Sequence, residues 1–176
     1  ADNFGNVVSM TSSIENGFGS RQYLNGFLLN NQLTDFSFLP EENGVKVINR
    51  PEGGKKPLSS MSPIIILNKN KEFISSVGSP GGTAIISYVF KTILDIFYKN
   101  IDPMQSISNG NFVKKNGRIY LEKEKFDNEN VSKLFPEKKN KVVNINLVSG
   151  LGIIIKKKGN FYGFADIRRD GTANGK

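Results

Sequence analysis

The sequence contains no cysteine and no histidine among its 176 residues. Without these residue types, this chain has no thiol nucleophile, no Ser–His or Cys–His pair, and no zinc site built from imidazole and thiolate. If the chain takes part in acyl transfer, its nucleophile therefore needs another base, and the amine at the start of a chain is one option. The lack of cysteine permits export but does not indicate it.

Long hydrophobic runs are also missing from the sequence. No stretch approaches the ~20 apolar residues that a membrane-spanning helix requires. The N-terminal residues likewise do not have the pattern of a signal peptide. We therefore expect no membrane span in this chain.

Acidic residues are outnumbered, because 16 Asp and Glu stand against 24 Lys and Arg and leave a net charge of +8. A basic chain raises the question of nucleic-acid or membrane partners. The lysines form short, scattered runs, which are typical of solvated surfaces. Residues 158–164 loosely resemble the aromatic sheet motif of RNA-recognition domains, but Asn160 breaks that motif and no second aromatic strand motif is evident. We expect no nucleic-acid partner, and tight, salt-dependent binding to single-stranded RNA would contradict this.

The pentapeptide Gly78-Ser79-Pro80-Gly81-Gly82 separates a short strand-like run, residues 72–77, from the one long helical pattern, residues 83–98. The proline fixes its own φ and lacks an N–H, whereas the two glycines after it can take positive φ. Their N–H groups would lie at a helix N-terminus, which favours negative charge. The turn could hold a phosphate, a carboxylate or the oxyanion of an acyl-transfer intermediate, or it could be a tight connection without a ligand.

The rest of the pattern predicts a mixed α/β chain with a largely antiparallel sheet, in one domain without an internal repeat. Residues 37–56 form a long polar connection, which is either an excursion at the rim of a site or a surface loop. Short helices are expected at 102–108, capped by Asp102-Pro103, and at 128–135, before Pro136. Further strands are predicted at residues 6–12, 26–30, 64–67, 118–122, 141–147, 151–157 and 161–165.

The helical pattern over residues 83–98 is apolar on more than one face. A helix with so little polar surface is buried in a large core or lies between two layers. A chain of 176 residues is small for such a core, so we expect a partner chain to cover part of this helix. One face carries Ile85, Val89, Thr92 and Ile96, and the other positions carry Ile86, Phe90, Ile93, Leu94 and Phe97.

Three segments carry a resemblance to a known family: FLLNNQLTDF (27–36), PLSSMSP (57–63) and VGSPGG (77–82). In this order and spacing they resemble the small subunit of γ-glutamyltransferases, and the resemblance covers nearly the whole chain. It implies the N-terminal-nucleophile hydrolase fold, an α+β four-layer αββα sandwich completed by a separate large subunit from the same precursor. It also implies a heterodimer in the periplasm or outside the cell, with any export signal on the large subunit.

In that family the nucleophile is the N-terminal Thr of the small subunit, and the amine of that Thr acts as its base. Such chemistry fits a chain without His or Cys. The chain begins with Ala1, and by alignment the Thr would lie a few residues before it. We therefore expect residues 1–176 to be the small catalytic subunit, a single domain that lacks its first few residues. A truncated, inactive family member is the alternative.

The resemblance implies a site for a γ-glutamyl group, which carries one ammonium and one carboxylate. Glu15, Gln32 and Asp35 match the residues that accept hydrogen bonds from the α-ammonium. Ser59 and Ser60 match the pair whose hydroxyls bind the α-carboxylate. Holding both charges would place the γ-carbonyl at the nucleophile. The resemblance implies no metal and no cofactor.

Three further positions are implied to act near the reacting atoms. Ser13 stands where the family usually has a second Thr, whose hydroxyl binds the nucleophile. Gly81 and Gly82 match the oxyanion hole, whose N–H groups would stabilise the tetrahedral intermediate. Attack would give a γ-glutamyl-enzyme, which water or an amino acid or peptide would then resolve.

A related substrate class stays open at this point, because relatives of the family act on glutaryl side chains of β-lactams or on poly-γ-glutamate. A glutaryl group has no α-amino group, so the presence of Asp35 and Gln32 favours a true γ-glutamyl head. Residues 37–56 contain no Tyr or Trp that could act as an aromatic lid. We expect a relatively open pocket that accepts long γ-glutamyl chains, and a strong preference for glutathione over oligo-γ-glutamate would contradict this.

Overall fold

The computed structural model describes residues 1–134 and 141–175. The chain divides into two compact units. We refer to Ser12–Ser59 as the insert unit and to Ala1–Thr11 together with Ser60–Lys176 as the sheet unit.

The insert unit contains two short β-hairpins with a single turn of 3₁₀ helix, Gln32–Asp35, between them. The second hairpin lies within residues 37–56, where the sequence pattern predicts a polar connection. The predicted strand at 26–30 is present but shorter. The strands are β1 (Tyr23–Leu24), β2 (Phe27–Leu28), β3 (Glu41–Glu42) and β4 (Val45–Lys46).

The sheet unit contains the strands β5 (Ile64–Leu67), β6 (Phe73–Gly78), β7 (Phe112–Lys115), β8 (Arg118–Glu122), β9 (Val142–Ile145), β10 (Gly152–Lys157) and β11 (Asn160–Ala165). Its helices are α1 (Ile85–Ile93), α2 (Pro103–Ser108) and α3 (Asn128–Leu134). Four of the strands form an antiparallel sheet in the order β11-β10-β6-β5, and three form a second sheet in the order β7-β8-β9. In the smaller sheet β8 and β9 are parallel, whereas β7 and β8 are antiparallel.

Four hairpin turns share one backbone geometry, with positive φ at both central residues. This is the type I′ turn, whose twist matches the twist of the flanking strands, and Asn-Gly is the dipeptide that favours it most. The turns set the registers of β1–β2, β3–β4, β7–β8 and β10–β11. They lie at Asn25-Gly26, Asn43-Gly44, Asn116-Gly117 and Lys158-Gly159.

The main core of the sheet unit lies between the strands β6 and β10 and helix α1. Alternate side chains of β10, Ile153 and Ile155, are buried, as expected for a strand with one face toward a core. Val77 from β6 and Val89 from α1 are fully enclosed in the same cluster. The four-stranded sheet therefore supports the start of α1, which directly follows the Gly81-Gly82 turn.

Helix α1 confirms the long helical pattern, and a π-helical segment, Leu94–Tyr98, extends it. One side packs into the core through residues such as Tyr88 and Val89. The other side leaves Ile86 and Phe90 exposed, at 59% and 60% of their full surface. Large apolar side chains that lie together on a surface often mark an interaction site.

The predicted strand at residues 6–12 is wrong, because the structure forms no strand there. A strand needs a hydrogen-bonded neighbour, and no described residue pairs with this segment in a ladder. The turn before it is held by Asp2, whose carboxylate accepts hydrogen bonds from the N–H groups of Phe4 and Asn6 at 2.9 Å each. Alternating polarity was therefore a misleading signal in this segment.

The other predicted elements are confirmed within a few residues. Helix α2 begins at Pro103, and the Asp102 side chain accepts from the N–H groups of Met104 and Gln105. The Asn128–Leu134 helix is present, whereas Phe135 and Pro136, which were expected to end it, lie outside the described residues. Strand β7 was not predicted. No helix within the described ranges is both long and apolar enough to cross a membrane.

A buried ion cluster joins the end of α1 to α2. Asp95, which is only 2% exposed, lies 3.2 Å from the Lys91 ammonium and 2.9 Å from that of Lys99. The Ser106 hydroxyl donates to the same carboxylate, and Lys91 donates to the Ser106 carbonyl at 2.7 Å. Burial acts to raise the pKa of Asp95, but the Lys99 hydrogen bond and the Lys91 charge outweigh it and lower that pKa.

Replacing Asp95 by alanine should reduce the free energy of unfolding by about 3–5 kcal/mol, because Lys91 would keep a buried charge without its partner. Since the folded-state pKa of Asp95 is lowered, its contribution is present above the unfolded-state value near pH 4 and is lost as the pH falls through the folded-state value. Urea unfolding followed by circular dichroism measures both effects.

Glu129→Ala is the control: it breaks an exposed ion pair with Lys133 and should cost less than about 1 kcal/mol. Equal losses in the two variants would contradict the assignment.

Candidate active site

The turn after β6 has the backbone geometry that its glycines permit. Gly81 has φ +139° and Gly82 has φ +56°, and a 3₁₀ turn, Gly82–Ala84, leads directly into α1. The N–H groups that begin a helical segment have no acceptor within it. Within residues 1–134 and 141–175, neither glycine N–H donates a hydrogen bond. Both N–H groups are therefore open donors at the positive end of a helix.

The turn is held closely on two sides. A side chain at Gly81 would lie 2.6 Å from Cε2 of Tyr88, so the ring of this buried tyrosine packs directly against the turn. A side chain at Gly150 would lie 2.7 Å from Cγ of Pro80, so the loop before β10 also approaches closely. Burial, followed by the nearby charge of Glu122, raises the pKa of Tyr88. The ring therefore acts here as a neutral, apolar support.

Buried polar groups fix the loop that contacts Pro80. The carboxylate of Asp166 is fully buried and accepts hydrogen bonds from the Ser149 hydroxyl and, at 3.4 Å, from the Leu151 N–H. Arg168 lies 3.2 Å from Asp166 and 2.9 Å from Glu122 of β8. Burial acts to lower the pKa of Arg168, but the Glu122 hydrogen bond and the Asp166 charge raise it overall, so the guanidinium stays charged.

The N-terminal segment also passes this turn. The hydroxyl oxygens of Ser9 and Thr11 lie 4.0 and 3.8 Å from the place that a side chain at Gly78 would take. Ser9 and Thr11 therefore lie close to the end of β6, in the same unit as Gly81 and Gly82.

Within the insert unit, Asn31 connects Glu15 to the turn that carries Gln32. The sequence interpretation missed Asn31. The Ser13 hydroxyl accepts from the backbone N–H of Glu15 at 2.8 Å, and Glu15 has φ +74°. The Asn31 side chain donates to the Glu15 carboxylate at 3.0 Å and accepts from the Asn16 N–H at 3.0 Å. Asn31 thus holds the Ser13–Asn16 segment beside the turn that carries Gln32.

Gln32 and Asp35 form a direct pair on the 3₁₀ turn. The Gln32 side-chain amide donates to Oδ2 of Asp35, and the Gln32 backbone N–H donates to Asn30 Oδ1 at 2.9 Å. Oδ1 of Asp35 and Oε1 of Gln32 accept no hydrogen bond from any described residue. Two acceptor oxygens, one of them on a carboxylate, are thus available to a cation.

Asn49 is a second residue that the sequence interpretation missed. Its side-chain amide donates to the backbone carbonyl of Asp35 at 2.6 Å, and its Oδ1 accepts from the Leu58 N–H at 3.2 Å. It therefore ties the turn bearing Asp35 to the residue before Ser59, within one unit. Asn49 lies in the 37–56 stretch, where no motif pointed to it.

The two serines proposed to bind the α-carboxylate, Ser59 and Ser60, belong to different units. Ser60 begins the second segment of the sheet unit, and its carbonyl accepts from the Ser62 hydroxyl at 3.3 Å. Ser59 is exposed and ends the insert unit. The structure thus groups Ser13, Glu15, Gln32, Asp35 and Ser59 in the insert unit, and Ser60, Gly81 and Gly82 in the sheet unit.

The family model described as Gamma-glutamyltranspeptidase matches residues 1–176. The chain belongs to the gamma-glutamyltranspeptidase family. It is 34% identical over 183 aligned residues to a glutathione hydrolase proenzyme from Bacillus subtilis, a match that covers 99% of this chain and 30% of that protein. The chain therefore spans about a third of the length of such curated relatives.

Solved structures of the family have the same fold. The γ-glutamyltranspeptidase of Helicobacter pylori, solved as a Thr-to-Ala mutant, superimposes with a TM-score of 0.83 at 34% identity, covering 96% of this chain and 97% of that one. The transpeptidase CapD of Bacillus anthracis gives a TM-score of 0.77 at 25% identity, covering 99% and 96% of the two chains. The expected N-terminal-nucleophile hydrolase fold of the α+β class is thereby confirmed.

Proposed function

We propose that this chain is the small subunit of a γ-glutamyltransferase that acts as a glutathione hydrolase. Such an enzyme cleaves the γ-glutamyl amide of glutathione and related compounds. It passes the γ-glutamyl group to water, to an amino acid or to a peptide. The observation that carries the proposal is the Gln32–Asp35 pair, which leaves two acceptor oxygens for the α-ammonium.

The two ends of the γ-glutamyl head need groups of opposite character. Glu15, which Asn31 holds beside Gln32, would add a third acceptor for the ammonium. The hydroxyls of Ser59 and Ser60 would donate to the α-carboxylate. With both charged groups bound, the γ-carbonyl is oriented for attack rather than free to rotate.

The reaction would proceed through a γ-glutamyl-enzyme. A Thr that precedes Ala1 would attack the γ-carbonyl, with its own amine as the base. The negative charge on the carbonyl oxygen would then be stabilised by the N–H groups of Gly81 and Gly82. Collapse of the tetrahedral intermediate expels the amine, and water or an acceptor amine then attacks the ester. The Ser13 hydroxyl would orient the nucleophile.

A larger partner from the same precursor would complete this enzyme. The Bacillus subtilis relative is a proenzyme of which this chain covers 30%, whereas this chain covers 97% of the solved Helicobacter pylori chain. The exposed apolar side of α1, with Ile86 and Phe90, is a surface that such a partner would cover. The proposed place of the enzyme, in the periplasm or outside the cell, stays a prediction.

The proposal is tested with the full-length protein after maturation. We expect turnover of a γ-glutamyl anilide and of glutathione, and a much slower reaction with the matching glutaryl anilide, which lacks the α-ammonium. The intact mass of the small chain should include a leading Thr before Ala1. A mature chain that starts at Ala1, or a protein without γ-glutamyl turnover, would contradict the proposal and favour the inactive family member.

The same measurements separate the related substrate classes. Faster turnover of the glutaryl anilide would favour an acylase. Faster turnover of oligo-γ-glutamate than of glutathione would favour a poly-γ-glutamate depolymerase. This second result would also agree with the absence of Tyr and Trp from residues 37–56.

A further inference from the structure

The hydroxyl group of Ser79 occupies an unusual place beside the Gly81-Gly82 turn. Ser79 is buried, at 3% of its full surface, and lies between β6 and Pro80. Its Oγ donates to the carbonyl oxygen of Pro80 at 2.8 Å and accepts from the Gly150 N–H at 3.1 Å. The hydroxyl thus binds the turn on one side and the loop before β10 on the other.

The Pro80 carbonyl belongs to the same peptide unit as the Gly81 N–H. Because a peptide unit is planar, the C=O and the N–H point in opposite directions and rotate together. A hydrogen bond that fixes the Pro80 carbonyl therefore also fixes the direction of the Gly81 N–H. Without it, the tilt of this peptide unit would depend on ψ of Pro80 and φ of Gly81, and glycine restricts its own φ only weakly.

The bonds also form a continuous chain, from the Gly150 N–H to the Ser79 hydroxyl, and from that hydroxyl to the Pro80 carbonyl. Hydrogen bonds in series polarise one another, so a carbonyl that accepts a bond makes the N–H of its own peptide a better donor. Gly150, where this series of hydrogen bonds begins, is itself fixed through its two neighbours. The Asp166 carboxylate accepts hydrogen bonds from the Leu151 N–H and from the Ser149 hydroxyl.

We propose that Ser79 is a positioning residue for the oxyanion hole, acting by orienting and polarising the Gly81 N–H through the Pro80 carbonyl. This inference rests on the proposed γ-glutamyl transfer. Ser79 does not touch the substrate in this scheme. Its loss should therefore lower kcat, which depends on the charge that develops at the carbonyl oxygen, and leave binding of the glutamate head unchanged.

The test compares Ser79→Ala with Ser75→Ala in the full-length, matured enzyme. Ser75 is a matched control, because it is also fully buried on β6 and its hydroxyl also donates to a backbone carbonyl, that of Ile154 at 2.8 Å. Rates on a γ-glutamyl anilide are normalised to the processed fraction. For Ser79→Ala we expect kcat to fall about 10- to 100-fold, a part of the effect of losing an oxyanion donor. Its KM, and the inhibition constant of L-glutamate, should stay within about threefold. Ser75→Ala should leave all three unchanged.

A second pair of variants covers the case in which Ser79→Ala does not mature. Ser79→Thr keeps the hydroxyl donor, whereas Ser79→Cys replaces it by a weak thiol donor of similar shape. We expect Ser79→Thr to retain kcat within about threefold and Ser79→Cys to lose it about tenfold. An unchanged kcat in Ser79→Ala, a weaker affinity for L-glutamate in place of a lower kcat, or equal kcat values for the Thr and Cys variants would overturn the inference alone. A wild-type enzyme without γ-glutamyl turnover would overturn the proposed function and this inference together.

Discussion

Replacing Asp35 by alanine should lower kcat/KM for a γ-glutamyl anilide by about a hundred- to a thousandfold. Truncating one partner of a desolvated, hydrogen-bonded charge pair costs several kcal/mol, and 1.4 kcal/mol corresponds to a factor of ten. In this chain Asp35 is held at two points, because the Gln32 amide donates to Oδ2 of its carboxylate and the Asn49 amide donates to its backbone carbonyl. Its remaining oxygen is the strongest acceptor on this turn for an ammonium.

A second substrate, without the α-amino group, provides the most direct control for this prediction. The glutaryl anilide lacks the α-amino group, so its slow turnover should be the same in Asp35→Ala and in the wild type. Asp35→Asn keeps the shape of the side chain and loses its charge, and it should resemble Asp35→Ala on the γ-glutamyl substrate. If the Asp35→Ala variant lost activity on both substrates equally, Asp35 would support the fold of the insert unit rather than recognise the ammonium.

The sequence predicts residues at the centre of the proposed site, but not the residues that hold them in place. Asp35 and Gln32 stand in a motif whose residue types match the chemistry of an ammonium. Asn31 and Asn49 act through hydrogen bonds to Glu15 and to the Asp35 carbonyl, across 16 and 14 residues of sequence. An asparagine in a polar stretch gives no sign of such a contact, because its partner is defined only by the folded backbone.

The fold shows a similar division between local and long-range information. The Gly81-Gly82 turn, the capped helix α2 and most strands of the sheet unit follow from local patterns, since each contains its own start or stop signal. The strand expected at residues 6–12 has the right alternation but no pairing neighbour among the residues that the structure describes, and pairing is a property of two segments. The hairpins β3–β4 and β7–β8 could have been predicted from the sequence, because Asn43-Gly44 and Asn116-Gly117 are strong hairpin signals. The polar residues around these dipeptides hid the signal.

Replacing Gly81 by alanine should lower kcat by about a hundred- to a thousandfold, the typical cost of losing one oxyanion donor. The new Cβ would lie 2.6 and 3.1 Å from two ring carbons of Tyr88, which is enclosed in the core and has little room to move. The φ of +139° is also one that residues with a side chain rarely adopt. The turn must therefore shift, and the Gly81 N–H turns away from the position of the oxyanion.

Two other glycines separate this effect from simple backbone strain. At Gly159, in the β10–β11 turn, φ is +84° and no atom of the described residues lies within 4 Å of an added Cβ, so Gly159→Ala should cost about 1–2 kcal/mol of stability and leave kcat unchanged. At Gly82, φ is +56° and an added Cβ again meets none of the described residues within 4 Å, so Gly82→Ala needs no shift of Tyr88 and should lose less kcat than Gly81→Ala. Thermal unfolding of the three matured variants gives their stability, and steady-state kinetics gives their kcat.

A larger loss of kcat in Gly82→Ala than in Gly81→Ala would show that the packing of Tyr88 against the turn does not set the direction of the Gly81 N–H. The oxyanion hole would then depend on the second N–H, at the first residue of the 3₁₀ turn.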